Sequence, residues 1–384
     1  MVKSNAKQIK LLFFGYPSSL KNYTGGFLWM KKVADLIDKS GCYSVLKIYN
    51  HNTAKKIPNK IMADTYNALT ALAKWPDIAI LDSWGESNIV LWLLLRLFKP
   101  KTKIFVVFHH HEPRISICRN YFELLYNHMI QKATAVMLKD SDIILTVSQA
   151  SKHELMTVYG IGVSKINNLK ETANKKTRDL AKNLTNRIAI VGTGIDKNIF
   201  LKDSNKELID NKKEIDFLCI GRIEKFHGLQ EIWIAIKKLR PDSNLVMAGR
   251  ITPNEAAELR NAGIDHRGFV SEEEKISLYS KSKVFIFPSS REGFGIAVAE
   301  ALFAGVPTVA WKLPVFEELY LKNGYPNIKL IEYGDTKLFA EECVKMLSKY
   351  GTGKKTAEGK KVIFQFPNWQ TVAKNVMATI ESVE

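Results

Sequence analysis

Cysteine is scarce in this chain, and its few copies lack the spacing that cysteine chemistry needs. Four cysteines occur among 384 residues, and no two of them form a C-x-x-C pair. This argues against a disulfide framework and against a zinc site, because the cysteines of such sites occur at characteristic spacings along the sequence. We therefore expect a reducing compartment. The cysteines are Cys42, Cys118, Cys219 and Cys343.

The sequence also lacks a hydrophobic run long enough to cross a bilayer. Its most apolar stretch, Ile89–Phe98, is interrupted by Arg96 and is too short to span. The residues from Met1 to Lys10 are polar and basic before the first apolar run, which is not the pattern of a signal peptide. We expect a cytoplasmic protein, either free or peripheral on the inner face of the membrane.

Acidic residues are few in the first half of the chain. Residues 1–200 hold 29 Lys and Arg against 14 Asp and Glu, whereas residues 201–384 hold 27 against 25. The first half therefore carries most of the net charge of +17 and should meet an anionic partner. No basic stripe interleaved with aromatic residues occurs, which argues against nucleic acid. An anionic membrane surface or an anionic acceptor is favoured.

The stretch Ile89–Phe98 leaves two alternatives open. It predicts a very apolar helix, which fits a helix buried against a sheet. The same helix is followed by Lys99, Lys101 and Lys103. Its apolar edge and these lysines could instead lie in a membrane interface, as in a monotopic protein.

Strands and helices alternate along both halves of the sequence. Short apolar runs such as Ile78–Asp82 and Ile104–Phe108 have the composition of buried parallel strands, and helical stretches such as Tyr121–Leu138 follow them. A chain of 384 residues is long for a single core. The pattern predicts an α/β protein with two doubly wound, Rossmann-like domains that face a cleft.

The most informative stretch follows the predicted strand Val284–Phe287. A glycine-flanked turn that contains Glu292 leads into a helix, and Gly305 and Pro307 close that helix. A helix start presents unpaired N–H groups and suits a phosphate, while carboxylates accept hydrogen bonds from sugar hydroxyls. With Glu300 one to two turns into the helix, the stretch fits a nucleotide sugar. The alternative is a plain turn followed by an exposed helical glutamate.

This stretch, PSSREGFGIAVAEALFAGVP from Pro288 to Pro307, resembles the signature of the family 4 retaining glycosyltransferases, the glycosyl transferases group 1, of the GT-B fold. The resemblance implies a first domain over residues 1–200 and a nucleotide-sugar-binding domain over residues 201–364. Residues 365–384 would form a final helix that crosses back onto the first domain.

The resemblance also implies an activity. The protein would be a hexosyltransferase that moves a sugar from a UDP or GDP donor to a glycan or lipid-linked acceptor in polysaccharide or glycolipid biosynthesis. No metal and no other cofactor is expected, and the leaving phosphate itself would accept the proton of the acceptor. Two rivals stay open: a nucleotide-sugar epimerase of GT-B-like fold, and a catalytically weak homologue that only binds nucleotide sugars.

By the same resemblance, residues in the second half take particular roles toward the donor. Arg222 would neutralise the diphosphate, Glu292 would hold the sugar and Glu300 the ribose. The family's second cation is a lysine at the position of His227, so either Lys225 or a partly protonated His227 would replace it. The other donor-binding positions are Val270, beside the base, and Gly293, Phe294, Gly295 and Ile296 in the turn and helix start.

Two elements of the first half complete the predicted site. Gly25 and Gly26 open a helix after the first strand, and in the resembled family a glycine-rich loop here lies beside the diphosphate. The strand Ile104–Phe108 leads into three consecutive histidines, from His109 to His111. One histidine of the family points at the donor sugar, and either His110 or His109 fits that position. We choose His110.

Overall fold

The computed structural model divides the chain into two compact units, Met1–Gly194 with Trp369–Glu384, and Ile195–Asn368. It describes residues 8–17, 25–50, 60–83, 86–111, 121–161, 187–196, 214–222, 226–325, 327–351 and 366–383. The predicted domain boundaries at 200/201 and 364/365 lie outside the described residues.

The first unit is built on a parallel sheet of six strands in the order β2-β1-β3-β4-β5-β6. Helices alternate with these strands along the chain. In chain order the elements are β1 (Lys10–Pro17), α1 (Gly25–Ser40), β2 (Ser44–Asn50), α2 (Lys60–Ala73), β3 (Ile78–Asp82), α3 (Glu86–Phe98), β4 (Lys103–Phe108), α4 (Tyr121–Asp140), β5 (Ile143–Thr146), α5 (Gln149–Tyr159) and β6 (Ile188–Ile190).

The central strands of this sheet are buried on both faces, which is why they are continuous apolar runs. Every residue of β3 is buried, and β4 is buried beyond its first lysine. One core cluster joins strand residues such as Leu12 and Val106 to the inner faces of helices α2 to α5. The final helix, α11 (Trp369–Glu381), packs against α1 within the same unit, as the family resemblance implied.

Helix α3 satisfies only part of the prediction that it is a buried helix. Its inner residues Leu91, Trp92 and Leu95 are buried against the sheet. Leu97 and Phe98, at its end, are exposed. The helix is therefore apolar on its inner side, which is buried as the first alternative predicts, and on much of its outer side. The second alternative, that its apolar edge lies in a membrane interface, stays a prediction.

The second unit has a parallel six-stranded sheet in the order β12-β11-β10-β7-β8-β9. Its helices also alternate with its strands, which makes this unit Rossmann-like as well. The elements are β7 (Ile215–Ile220), α6 (Leu229–Leu239), β8 (Leu245–Ala248), α7 (Pro253–Asn261), β9 (Asp265–His266), α8 (Glu272–Lys281), β10 (Ser282–Phe287), α9 (Ile296–Phe303), β11 (Thr308–Trp311), β12 (Ile328–Ile331) and α10 (Thr336–Tyr350).

Local sequence signals fix the helix boundaries in this unit. Ser271 caps α8 by accepting a hydrogen bond from the backbone N–H of Glu274 at 3.1 Å. Thr252 and Glu255 form a reciprocal capping box at the start of α7. These caps begin α7 and α8 at the ends of the loops that follow β8 and β9. Because the strands are parallel, the loops after β7, β8, β9 and β10 all lie at the carboxyl edge of the sheet, where open α/β sheets bind ligands. Among the described residues, no helix is long and apolar enough to span a membrane.

Candidate functional site

The turn after β10 holds the first predicted carboxylate in place. Ser289 is buried, and its hydroxyl lies 2.9 Å from Glu292 Oε1 and 3.1 Å from the carbonyl oxygen of Arg291. A buried hydroxyl therefore orients the Glu292 carboxylate at the carboxyl edge of the sheet. This arrangement suits an acceptor for ligand hydroxyl groups.

Gly295 is required where the turn becomes helix α9. Its φ of 79° lies in the left-handed region, and a Cβ atom at this position would collide with the ring of Phe316. Its carbonyl accepts from the N–H of Val298 at 3.0 Å. The backbone of Gly293 and of Ile296 lies in the same turn and helix start. Helix α9 thus presents its N-terminal N–H groups and dipole at this edge, which suits an anion.

The aromatic residue of the turn serves the core rather than a ligand. Phe294 is buried, and its ring packs edge-on against Phe366 with 5.6 Å between centroids. Only the backbone of Phe294 is placed for the donor-binding role that the family resemblance implied. The side chain anchors the turn to its own unit.

Glu300 is already engaged by two side chains of helix α8. Its Oε1 lies 2.8 Å from Lys275 Nζ, and its Oε2 accepts from the hydroxyl of Tyr279 at 3.2 Å. The side chains of Lys275 and Glu300 are only 13% and 10% exposed. Burial raises the pKa of the Glu300 carboxyl above its ordinary value of 4.5, and the ion pair with Lys275 opposes that rise.

The ammonium of Lys275 is held between two carboxylates. Besides Glu300, it lies 3.1 Å from Glu272 of the same helix. Burial alone would lower the pKa of Lys275, but these two carboxylates raise it above its ordinary value. Sequence reasoning missed Lys275 and Tyr279, because the contact depends on how α8 packs beside α9. The spacing of the two residues by one helical turn was the one available signal.

The segment after β7 lies beside the turn after β10. Phe226 and Ser289 form an isolated antiparallel bridge, and the N–H of His227 donates to the carbonyl of Pro288 at 2.8 Å. Arg222 lies two residues after the end of β7 and is partly exposed. The structure thus brings the predicted arginine segment and the predicted turn to one edge. Lys225 lies outside the described residues.

His227 has an aromatic neighbour that the sequence did not indicate. Its imidazole stacks on the ring of Tyr333, with centroids 4.8 Å apart and the planes inclined by 22°. Its carbonyl accepts from Trp311 Nε1 at 3.2 Å. His227 is exposed, so its backbone is fixed while its imidazole faces solvent on one side.

The loop that carries Val270 reaches the same edge. Gly249, at the end of β8, donates its N–H to the carbonyl of Gly268 at 2.8 Å. Val270 follows two residues later, is partly exposed and immediately precedes the cap of α8. The loops after β7, β9 and β10 therefore carry predicted donor-binding residues of the second unit, and Glu300 lies in helix α9.

In the first unit, one of the two predicted glycines, Gly26, lies next to a histidine. A Cβ atom at Gly26 would lie 3.1 Å from His109 Nε2, so the absence of a side chain lets the start of α1 approach the imidazole. Gly25 is the first residue of that helix. His109 is buried and edge-on to Trp29, with 6.0 Å between ring centroids. The structure places His109, rather than His110, against the glycines.

Asp82 is a further polar residue at this point that sequence reasoning missed. It ends strand β3, is buried, and has Oδ2 3.8 Å from the same Gly26 position. Its N–H donates to Asn88 Oδ1 at 3.2 Å. A charged residue that closes a fully apolar strand was the signal for it, because such a residue is costly to bury without a role.

Helix α5 fixes the backbone of the histidine segment. The Ser151 hydroxyl donates to the carbonyl of His109 at 2.5 Å, and Glu154 accepts from the N–H of His111 at 2.9 Å. His111 Nδ1 also lies 3.0 Å from the hydroxyl of Tyr159. Burial raises the pKa of Glu154, and the His111 hydrogen bond opposes this. His111 therefore belongs to the packing of α5, whereas His110 is partly exposed.

No metal-binding group is apparent in the part of the chain that the structure describes, where no three His, Cys, Asp or Glu side chains are arranged to hold an ion. Asp140 and Asp142, which have the D-x-D spacing of some glycosyltransferases, both pair with Arg96, at 2.6 and 3.2 Å. Trp92 Nε1 also donates to Asp140 at 2.7 Å. These contacts tie α3 to the sheet.

Comparison with known proteins identifies the domain that carries most of these residues. The family model described as glycosyl transferases group 1 matches residues 201–376. This part of the chain, a little under half of it, is therefore similar to the glycosyl transferases group 1 family. The resemblance drawn from the turn after β10 is thereby confirmed, and the matched range contains Arg222, Glu292 and Glu300.

Two of the curated relatives are named for O-antigen and lipopolysaccharide core biosynthesis. The chain is 27% identical over 251 residues to the O-antigen chain mannosyltransferase RfbU of Salmonella typhimurium, which covers 61% of this chain and 63% of the relative. It is 35% identical over 135 residues to the lipopolysaccharide core biosynthesis mannosyltransferase LpsB of Rhizobium meliloti, covering 32% and 38%. The chain thus matches less than two thirds of the length of either relative.

Solved structures match nearly the whole chain in fold. Sucrose-phosphate synthase of Thermosynechococcus elongatus has a TM-score of 0.71 at 12% identity, covering 98% of this chain and 99% of that one. Anabaena HepE in complex with UDP-glucose has a TM-score of 0.65 at 13% identity, covering 98% and 100%. The predicted GT-B architecture of two Rossmann-like domains is confirmed.

Proposed function

We propose that this protein is a retaining glycosyltransferase that moves a hexose from a UDP or GDP sugar to a glycan or lipid-linked acceptor. The observation that carries the proposal is the turn after β10. There, an anion-binding helix start lies beside a carboxylate that a buried serine orients, within a matched glycosyl transferases group 1 domain. A ligand that carries both a phosphate and a sugar binds to such a pair, because the helix start attracts the phosphate and the carboxylate accepts hydrogen bonds from the sugar hydroxyls.

The cations of the second unit would stabilise the leaving diphosphate. Arg222 would contact phosphate oxygens through its planar guanidinium, and the N–H groups at the start of α9 would bind the same charge. His227 would supply the second cation when it is protonated. We propose that these groups suffice without a metal, because they place positive charge where the diphosphate develops negative charge.

The carboxylates would hold the two sugars of the donor. Glu292 would accept hydrogen bonds from hydroxyls of the transferred hexose, and Glu300 from hydroxyls of the ribose. Lys275 and Tyr279 already fix Glu300 at 2.8 and 3.2 Å, so we assign them the role of positioning residues. A fixed acceptor loses little entropy when the ribose binds, which favours tight binding.

The transfer step needs no protein side chain as a base. The acceptor oxygen forms a bond to the anomeric carbon on the face from which the diphosphate oxygen departs, and the released phosphate takes the acceptor proton. In the first unit we assign the histidine of the reacting face to His109, because Gly26 and Trp29 hold it in place. His109→Ala should then lower kcat by about 100-fold, while His110→Ala should leave it within about threefold.

Donor screening and product analysis test the proposal. UDP-glucose and GDP-mannose are the first donors to test, since a neighbouring structure holds UDP-glucose and two relatives are named mannosyltransferases. A thermal-shift screen should show one nucleotide sugar raising Tm, and a polysaccharide or lipid-linked acceptor should then gain that sugar with its anomeric configuration retained.

Three outcomes of that experiment would overturn the proposal. Interconversion of sugars without an acceptor would indicate an epimerase. Binding without turnover of any donor would indicate a binding protein. Full turnover by Glu292→Ala would show that the turn after β10 is not the site.

A further inference from the structure

Helix α3 exposes apolar side chains where a surface helix is normally polar. Leu93, Leu97 and Phe98 are exposed, with Leu97 at 72% and Phe98 at 63%. Leu95 lies between them and is fully buried in the core, so the exposed row belongs to a helix whose inner side is packed. A solvent-facing row of leucine and phenylalanine is typical of a surface that binds a partner or a membrane.

The end of helix α2 extends this exposed row. Trp75 follows α2, is 63% exposed, and has the ammonium of Lys99 over its ring. Leu69 of α2, a helix that packs directly beside α3, is also exposed. We call this surface the apolar edge of the first unit. It consists of Leu69, Trp75, Leu93, Leu97 and Phe98.

Trp75 occupies a backbone conformation that disfavours it. Its φ is 51°, in the left-handed region, and its N–H donates to the carbonyl of Leu72 at 3.1 Å. A helix that ends in this way normally places glycine or asparagine there, because a bulky side chain is strained. Strained backbone conformations cluster at functional sites, so a strained and exposed tryptophan points to a surface role.

The apolar edge is bordered by cations. Lys74 and Lys101 are exposed beside it, and Lys99 covers Trp75. Arg96 is instead paired with Asp140 and Asp142. Residues 1–200 hold 29 Lys and Arg against 14 Asp and Glu, so the wider field around the edge is positive.

We infer that the apolar edge binds the surface of an anionic lipid bilayer. Tryptophan, phenylalanine and leucine would enter the boundary between headgroups and acyl chains, and the lysines would lie among anionic headgroups. A second copy of this chain is a poorer occupant, because pairing two copies would bring like-charged lysines together. The inference rests on the first unit alone and is tested without substrate, so it can fail while the proposed transferase activity holds.

Vesicle flotation of the full chain is the direct test. The wild type should float with vesicles that contain phosphatidylglycerol, remain in solution with pure phosphatidylcholine, and lose binding as salt rises. The triple variant Trp75→Ser, Leu97→Ser, Phe98→Ser should lower the partition coefficient by about tenfold or more. Lys99→Glu with Lys101→Glu should lower it by about tenfold.

Trp75→Asn separates a surface role from a structural one. Asparagine tolerates the left-handed conformation, so this variant should keep or raise Tm while its vesicle binding falls by about threefold to tenfold. A lowered Tm with unchanged vesicle binding would show that Trp75 supports the fold instead and would overturn the inference.

A matched control comes from the second unit. Ile234 and Leu239 of α6 are likewise exposed, and Lys237 and Lys238 lie beside them. Ile234→Ser with Leu239→Ser should leave flotation unchanged. Equal losses from both sets of variants, or no wild-type binding to anionic vesicles, would overturn the inference. A triple variant that turns a dimer into a monomer and keeps vesicle binding would do so as well.

Discussion

Helix α1 of the first unit and helix α9 of the second both begin at glycines and both follow a strand of a parallel sheet. At α9 the glycine serves the backbone, because Gly295 has a positive φ and no room for a Cβ atom beside Phe316. At α1 the glycine serves a side chain, because Gly26 lets His109 approach. A glycine at a helix start therefore shapes the backbone in the second unit, where we propose an anion site, and makes room for an imidazole in the first.

The polar side chains around the two helix starts also differ. Glu292 and Glu300 accompany α9, with Arg222 and His227 on the same sheet edge. The first unit offers His109 and the buried Asp82 instead, together with an apolar, basic surface. The two units therefore share a fold but differ in the polar side chains at the edge of the sheet. Under the proposed function, the second unit would hold the nucleotide sugar and the first would face a different partner.

The largest effect should come from Glu292→Ala. We expect kcat/KM for the donor to fall by roughly 100- to 1000-fold, because the oriented carboxylate holds the transferred sugar in the reacting geometry. Steady-state kinetics with the donor found by screening measures this. Ser289→Ala, which removes only the orienting hydroxyl, should cost about tenfold. An equal loss in the two variants would contradict the assigned roles.

Lys275→Met tests the pair behind Glu300. It should lower the free energy of unfolding by about 3 kcal/mol near neutral pH, because it leaves a buried carboxylate without its cation. The pKa of Glu300 is already raised by burial, and losing Lys275 should raise it further. The folded state then binds the proton more tightly than the unfolded state, so stability falls as pH rises between the two pKa values.

The pH dependence distinguishes this cause from simple loss of packing. The difference in Tm between Lys275→Met and wild type should shrink from about pH 8 to about pH 5, as the Glu300 carboxyl becomes neutral. Lys275→Arg should recover much of the stability. A difference in Tm that does not change with pH would show that the charge of Glu300 is not the reason.

Exchanging glycine for alanine at the two helix starts sharpens the comparison between the units. Gly295→Ala should cost about 2 kcal/mol of unfolding free energy, since the φ and the Phe316 contact both oppose it. Gly26→Ala should change that free energy by less than about 1 kcal/mol but should lower kcat, since it displaces His109. Urea unfolding with steady-state kinetics measures both. Equal losses of unfolding free energy in the two variants would contradict the different roles assigned to the two glycines.

The smallest effect concerns the departure from the family pattern. His227→Lys restores a permanent cation and should tighten UDP binding by about fivefold, measured by calorimetry. His227→Gln keeps a polar side chain without a positive charge and should weaken binding by a similar factor. Tighter binding by both variants would show that His227 does not contact the diphosphate.

The sequence allowed much of the fold to be predicted. The strand Ile78–Asp82 is apolar up to its final aspartate, so its bounds are visible directly in the sequence, and the helix predicted from Tyr121 begins at that residue. The turn after β10 was predictable because its glycines and carboxylates are close together in the chain.

Side-chain partners distant in sequence were not predictable. Lys275 meets Glu300 only because α8 packs beside α9. The choice between His109 and His110 depends on the direction in which each side chain leaves the end of β4, and the three consecutive histidines gave no basis for it. The exposure of Leu97 and Phe98 likewise depends on which side of α3 faces the sheet. Because the helix has apolar residues on both sides, its sequence pattern does not indicate the buried side.

Hydrogen exchange with and without the screened donor tests the central claim, that the second unit holds the nucleotide sugar, most directly. We predict slower exchange at Pro288–Gly295, at the start of α9 and at the segment that contains Arg222 and His227. Glu292→Ala should lose that protection when the sugar is part of the ligand and keep most of it with UDP or GDP alone. Protection elsewhere in the chain, with these segments unchanged, would contradict the account.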